Sequence, residues 1–135
     1  MRFTTLMLVV MLAGVSSCVI GKNAAEWPVA KQPQGALVTL RSNPTTVTGE
    51  LIEVTEEGVV VKSHAGKLIF APFSTIDHLG AEGLGSEYSM SRRMPPTQAG
   101  RARLAMVSHF PQGMTPEIRQ RMLALSGQSQ IEPLQ

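Results

Sequence analysis

The residue with the most specific chemistry is Cys18, the one cysteine in 135 residues. A single thiol cannot form an internal disulfide. As a thiolate it is a good nucleophile. Ser16 and Ser17 stand directly before it, and two small side chains let an extended backbone enter a protease. A lone thiol directly behind Ser16-Ser17 is therefore expected to be used chemically. Other chemically capable residues are less well placed. His64, His78 and His109 are isolated from one another and from any second cysteine, so no metal site is expected. Ser74, Asp77 and His78 have the groups of a hydrolase triad, but adjacent strand residues point to opposite faces, so Asp77 is not expected to orient His78. Glu56-Glu57 reads as a solvated hairpin tip. No glycine-rich phosphate loop or dinucleotide fingerprint is present. Phe70 and Phe73 alone do not make a stacking platform for single-stranded nucleic acid. The sequence thus predicts no catalytic residue, no cofactor and no metal.

The elements around Cys18 decide what its thiol is for. Met1 to Thr5 carries one positive charge, Arg2, and Leu6 to Val15 is apolar. That apolar run is about ten residues, against the ~20 needed to span a bilayer. A basic start, a short apolar run and small residues before a cut are the order of a secretory signal peptide. Val15-Ser16-Ser17-Cys18 resembles a bacterial lipobox, with Val15 and Ser17 as variants of its commonest form. The resemblance implies that diacylglyceryl is placed on the Cys18 sulfur, that signal peptidase II cuts before it, and that the new amine is acylated. More than one acyl chain is needed for stable anchoring. An Asp after the cysteine retains well-studied Gram-negative lipoproteins on the inner membrane. Val19 therefore implies the periplasmic face of the outer membrane.

Residues 1–17 then form the signal peptide and 18–35 a lipidated tether. Gly21, Pro28, Pro33 and Gly35 break any helical or strand period in that tether. Trp27 is expected either at the bilayer interface or against the domain wall. Residues 36–79 read as five short strands. Ala36, Val38 and Leu40 alternate on one face. A bulge or bend is expected near Gly49, where Leu51-Ile52 blurs the alternation. Val59-Val60-Val61 is too apolar for a strand with one wet face. Leu68 and Phe70 should face away from Ile69. Close strand spacing without helices implies a small barrel. The steps Gly49-Glu50-Leu51, Gly58-Val59-Val60-Val61 and Phe73-Ser74-Thr75-Ile76 resemble an SH3-like or Sm-like barrel. Thr55-Glu56-Glu57 stands where Sm proteins place an RNA-contacting Asn, so RNA binding is not carried over and no nucleic-acid partner is expected.

Residues 80–100 read as an irregular linker, and 101–135 as a basic helical hairpin and tail. Thr97 is expected to cap the first helix, which runs to about His109 and presents Leu104, Val107 and Met106. Thr115-Pro116-Glu117 starts the second with a capping hydroxyl, a proline and an acid. Ile118, Met122 and Leu125 make its apolar stripe, and Gly127 ends it. The expected fold is α+β: a five-stranded SH3-like or Sm-like barrel followed by a helical hairpin.

Without residues 1–17 the chain has 11 Lys plus Arg against 10 Asp plus Glu. Acids dominate from Glu50 to Glu87, and arginines from Tyr88 to Arg121. A basic tail lying on an acidic barrel is the expected arrangement, ahead of a basic surface meant for a partner. The expectation for function is a membrane-anchored envelope lipoprotein acting as a non-catalytic structural or interaction module, with an envelope protein or polymer as partner. Two alternatives stand beside it: a small envelope hydrolase or enzyme subunit, and a binder of an anionic polymer or lipid headgroup.

Overall fold

A computed structural model describes residues 34–85 and 88–135. The elements are β1 Leu37–Ser42, β2 Thr45–Val54, β3 Gly58–Ser63, β4 Leu68–Pro72, β5 His78–Ala81, α1 Gln98–Met106, α2 Pro116–Ser126 and β6 Glu132–Pro133. The fold is α+β, with one six-stranded sheet in the order β5-β1-β2-β3-β4-β6. All pairings are antiparallel except β4 with β6. The sheet is not closed: β5 and β6 form its two ends. Five strands were expected, and the sixth comes from the C-terminal tail, where a Pro-containing pair of residues carries no strand signal.

β1 follows its alternation, with Val38 and Leu40 buried and Leu37 and Arg41 exposed. The register shift in β2 lies between Leu51 and Glu53 rather than at Gly49. It changes which residues face where. Leu51 joins the larger apolar cluster with Val38, Leu40, Val59, Val61 and Ala71. Ile52 and Glu53 both turn to the opposite face, where Ile52 meets Val60 and Leu68. β3 is therefore buried on both sides, which is why Val59-Val60-Val61 has no polar alternation. On β4, Leu68 and Phe70 share one face and Ile69 and Ala71 the other.

The expected helical hairpin divides between these two faces. Leu104 and Val107, at the end of α1, are buried in the larger cluster, together with Tyr88 and Met90 from the preceding irregular segment. On the other face Phe110, Met114 and two α2 residues, Met122 and Leu123, cover Ile52, Val60 and Leu68. A sheet with two apolar faces draws each helix to a different one. Met106 is 49% exposed and Leu125 80% exposed, so neither makes the expected core contact. Leu123 takes the place of Leu125, because the buried side of α2 follows the sheet and not the longest apolar repeat.

Both helix starts form as the residues dictate. The hydroxyl of Thr97 accepts from Gly100 N–H, and that of Thr115 from Ile118 N–H. Pro116 occupies the first turn of α2, and Gly127 closes it at φ 67°.

Candidate functional site

Cys18 and Ser17 lie outside the described residues, so the structure gives them no geometry. His64 is exposed in the β3–β4 turn, and Ser74 is exposed beyond β4. Asp77 does not meet His78 or Ser74. Its carboxylate instead accepts from Asn43 N–H at 2.9 Å and pairs with Arg92 at 2.7 Å.

The third histidine behaves differently. His109 Nδ1–H donates to Glu50 Oε1 at 2.6 Å, and Gly35 N–H donates to the same oxygen at 2.7 Å. The pair is about three-quarters buried, at 28% and 24% side-chain exposure. β2 supplies Glu50. His109 is placed by its own backbone, whose N–H donates to Leu51 O at 2.9 Å, and its ring lies 4.5 Å from that of Phe110. Gly35 is required by close approach: a Cβ there would stand 1.9 Å from Leu51 O and 2.8 Å from His109 N. A carboxylate that holds Nδ1–H fixes the tautomer and leaves Nε2 as the basic atom. Such an imidazole can accept a proton from a nucleophile within reach.

A second carboxylate lies three residues further along β2. Glu53 is 6% exposed. It accepts from Met114 N–H at 2.9 Å and from Arg119 at 3.2 Å. Gly113, at φ 86°, brings the chain close: a Cβ there would be 3.1 Å from Glu53 Oε1. The bulge makes this site, because without it Glu53 would face the larger apolar cluster. Beyond it, a groove of about 220 Å³ runs between α2 and the β3–β4 hairpin, lined by Lys62, Leu68, Met122 and Leu125.

Sequence reasoning did not find the Glu50–His109 pair. The partners are 59 positions apart, and neither has a neighbour of suggestive type. The charge asymmetry was a usable signal in aggregate. All three ion pairs among the described residues join an acid of the 50–87 segment to a base of the 88–121 segment. No group of three or more His, Cys, Asp or Glu side chains among the described residues could hold a metal ion. Set beside family models, curated proteins and solved structures, the chain matches none of them.

Proposed function

We propose that this chain is an envelope lipoprotein, anchored through lipid on Cys18, whose domain is a non-catalytic interaction module on the periplasmic face of the outer membrane. The observation that carries the reading is the succession of Arg2, the apolar run Leu6 to Val15, Ser16-Ser17 and the lone Cys18. Gly35 hydrogen-bonds to Glu50 in the domain, and the Gly and Pro residues between Cys18 and Gly35 suit a tether. We further read the sheet as an SH3-like or Sm-like barrel left open. The strand order, in which β5 returns beside β1 rather than β4, supports this.

Cys18→Ser should remove the protein from the membrane fraction, or leave it as uncleaved precursor, because serine supplies no thiolate for lipid transfer. The wild type should stay with membranes through a high-salt wash, since acyl anchoring does not depend on charge screening. Mass spectrometry of the mature N-terminus reads the result directly. An N-terminus other than Cys18, or an unmodified Cys18, refutes the assignment.

The enzyme alternative is favoured by one observation, the carboxylate-oriented imidazole of His109. Turnover of an ester, peptidoglycan or phosphate substrate by the mature chain, abolished by His109→Gln, would establish it in place of the interaction role.

A further inference from the structure

The second face of the sheet is covered unevenly. Phe110, Met114, Met122 and Leu123 pack on Ile52, Val60 and Leu68. Beside them the groove of about 220 Å³ stays open between α2 and the β3–β4 hairpin, lined by Lys62, Leu68, Met122, Leu125 and Ser126. Leu125 is 80% exposed there, more than any other large apolar side chain among the described residues. Lys62 is the one charged residue of the lining, and among the described residues it joins no ion pair. The chain enters the domain close to this groove. Gly35 N–H donates to Glu50 Oε1 at 2.7 Å. Glu50 is the cross-strand neighbour of Lys62, and Lys62 that of Leu68. Glu50 and Lys62 both turn to the second face, because Leu51 and Val61 beside them face into the larger cluster. Two strand spacings, about 10 Å, therefore separate Glu50, where Gly35 is held, from Leu68 in the groove.

We propose that this groove is the docking site of the chain's own Trp27, which lies outside the described residues. Reach permits it. Trp27 stands eight positions before Gly35, and eight extended residues span up to about 28 Å, well beyond the distance to be crossed. The chemistry of the two partners matches. Trp27 is the one tryptophan of the chain, and Glu26 before it is the single acid between Cys18 and Gly35. The groove offers Leu68, Met122 and Leu125 to the ring, and a thioether packs well on an aromatic edge. Lys62 is the cation for Glu26. Ser126 donates its hydroxyl hydrogen to Leu123 O, which leaves its oxygen free to accept from the indole N–H. A short linker gives an effective concentration on the order of millimolar, so a contact too weak to hold a free peptide still holds the ring. The docking stands without the lipid anchor. With the anchor proposed above, it shortens the span between membrane and domain from residues 18–34 to residues 18–26 and holds the domain by its α2 side.

The experiment uses residues 18–135 carrying Cys18→Ser, in which intrinsic tryptophan fluorescence reports on Trp27 alone. The docked indole should emit to the blue of N-acetyltryptophanamide and be quenched by acrylamide at least about threefold less, because the apolar walls exclude water and quencher. Leu125→Asp puts a charge into the groove at a position exposed enough to leave the fold intact. It should return emission and quenching to those of the free compound. Met106→Asp makes the same change at an exposed position of α1, the helix of the opposite face, and should alter neither. Trp27→Ala should raise binding of an apolar dye at least about twofold by emptying the groove, and Leu125→Asp added to it should cancel the rise. Blue emission that survives Leu125→Asp overturns the site, as does emission like that of the free compound in the starting chain. A blue shift seen only with phosphatidylglycerol vesicles overturns it in favour of a membrane contact, and one lost on dilution in favour of a second copy. None of these outcomes bears on lipid at Cys18, which mass spectrometry of the mature N-terminus reads separately.

Discussion

Single residues carry the joints of this molecule. Glu53 is the most demanding, because a carboxylate 6% exposed must have partners. It has two, a backbone N–H from Met114 and the Arg119 guanidinium. Arg119 is itself 43% exposed in its side chain, so water moderates the pair and its strength is well below that of a fully buried one. Arg119→Ala should cost about 1–2 kcal/mol, since it removes one charge-assisted hydrogen bond and leaves the other in place. Glu53→Ala should cost more, because it also leaves Met114 N–H without its acceptor. Chemical denaturation of both variants checks the order. A smaller loss for Glu53→Ala would mean that the carboxylate is tolerated at this site and does not hold α2.

At the scale of elements, the C-terminal tail does more than its two-residue strand suggests. The Gln128 side-chain amide accepts from Leu68 N–H at 2.7 Å and donates to Leu68 O at 3.1 Å, so it pairs with the edge of β4 as a strand residue would. β6 continues alongside Ile69 and Phe70, and Leu134 N–H donates to Phe70 O at 2.8 Å. Ile131 packs on one apolar cluster and Leu134 on the other. Pro133 has no N–H to offer a further strand. The tail thus protects an edge that would otherwise be a template for association. Deleting Gln128–Gln135 should lower stability by about 1–3 kcal/mol, from two half-buried aliphatic side chains, and should produce concentration-dependent association. Light scattering across a protein dilution series measures the second effect. A monomer at every concentration would show that β4 needs no cover.

For the molecule as a whole, the larger cluster is shared between distant parts of the chain. Val38, Leu40 and Leu79 come from strands, Tyr88 and Met90 from the irregular segment, and Leu104 and Val107 from the end of α1. A chain ending at Leu79 would lack four of those buried side chains and the cover that Phe110, Met114, Met122 and Leu123 give Ile52 and Val60. We expect it to lose the cooperative melting transition and to bind a hydrophobic dye. An unchanged transition would show that the strands fold alone and that the helices are accessory.

Local residue chemistry by itself determined the parts of this protein that depend only on near neighbours. The caps at Thr97 and Thr115, the terminus at Gly127, the alternation of β1 and the double burial of β3 all follow from side chains a few positions apart. The lipobox-like run before Cys18 is of the same kind, a contiguous pattern, and it carries the functional proposal without any tertiary geometry. Only the tertiary structure decided the Glu50–His109 and Glu53–Arg119 pairs, 59 and 66 positions apart, because chain folding, and no local period, sets which distant residues meet. It also decided that Leu123 and not Leu125 faces the sheet, and that the tail supplies a sixth strand. For Glu53 the reason is local: a one-residue register shift between Leu51 and Glu53 turns it onto the face that Ile52 already occupies by alternation, and the later chain must fold back to cover that apolar surface and its buried carboxylate.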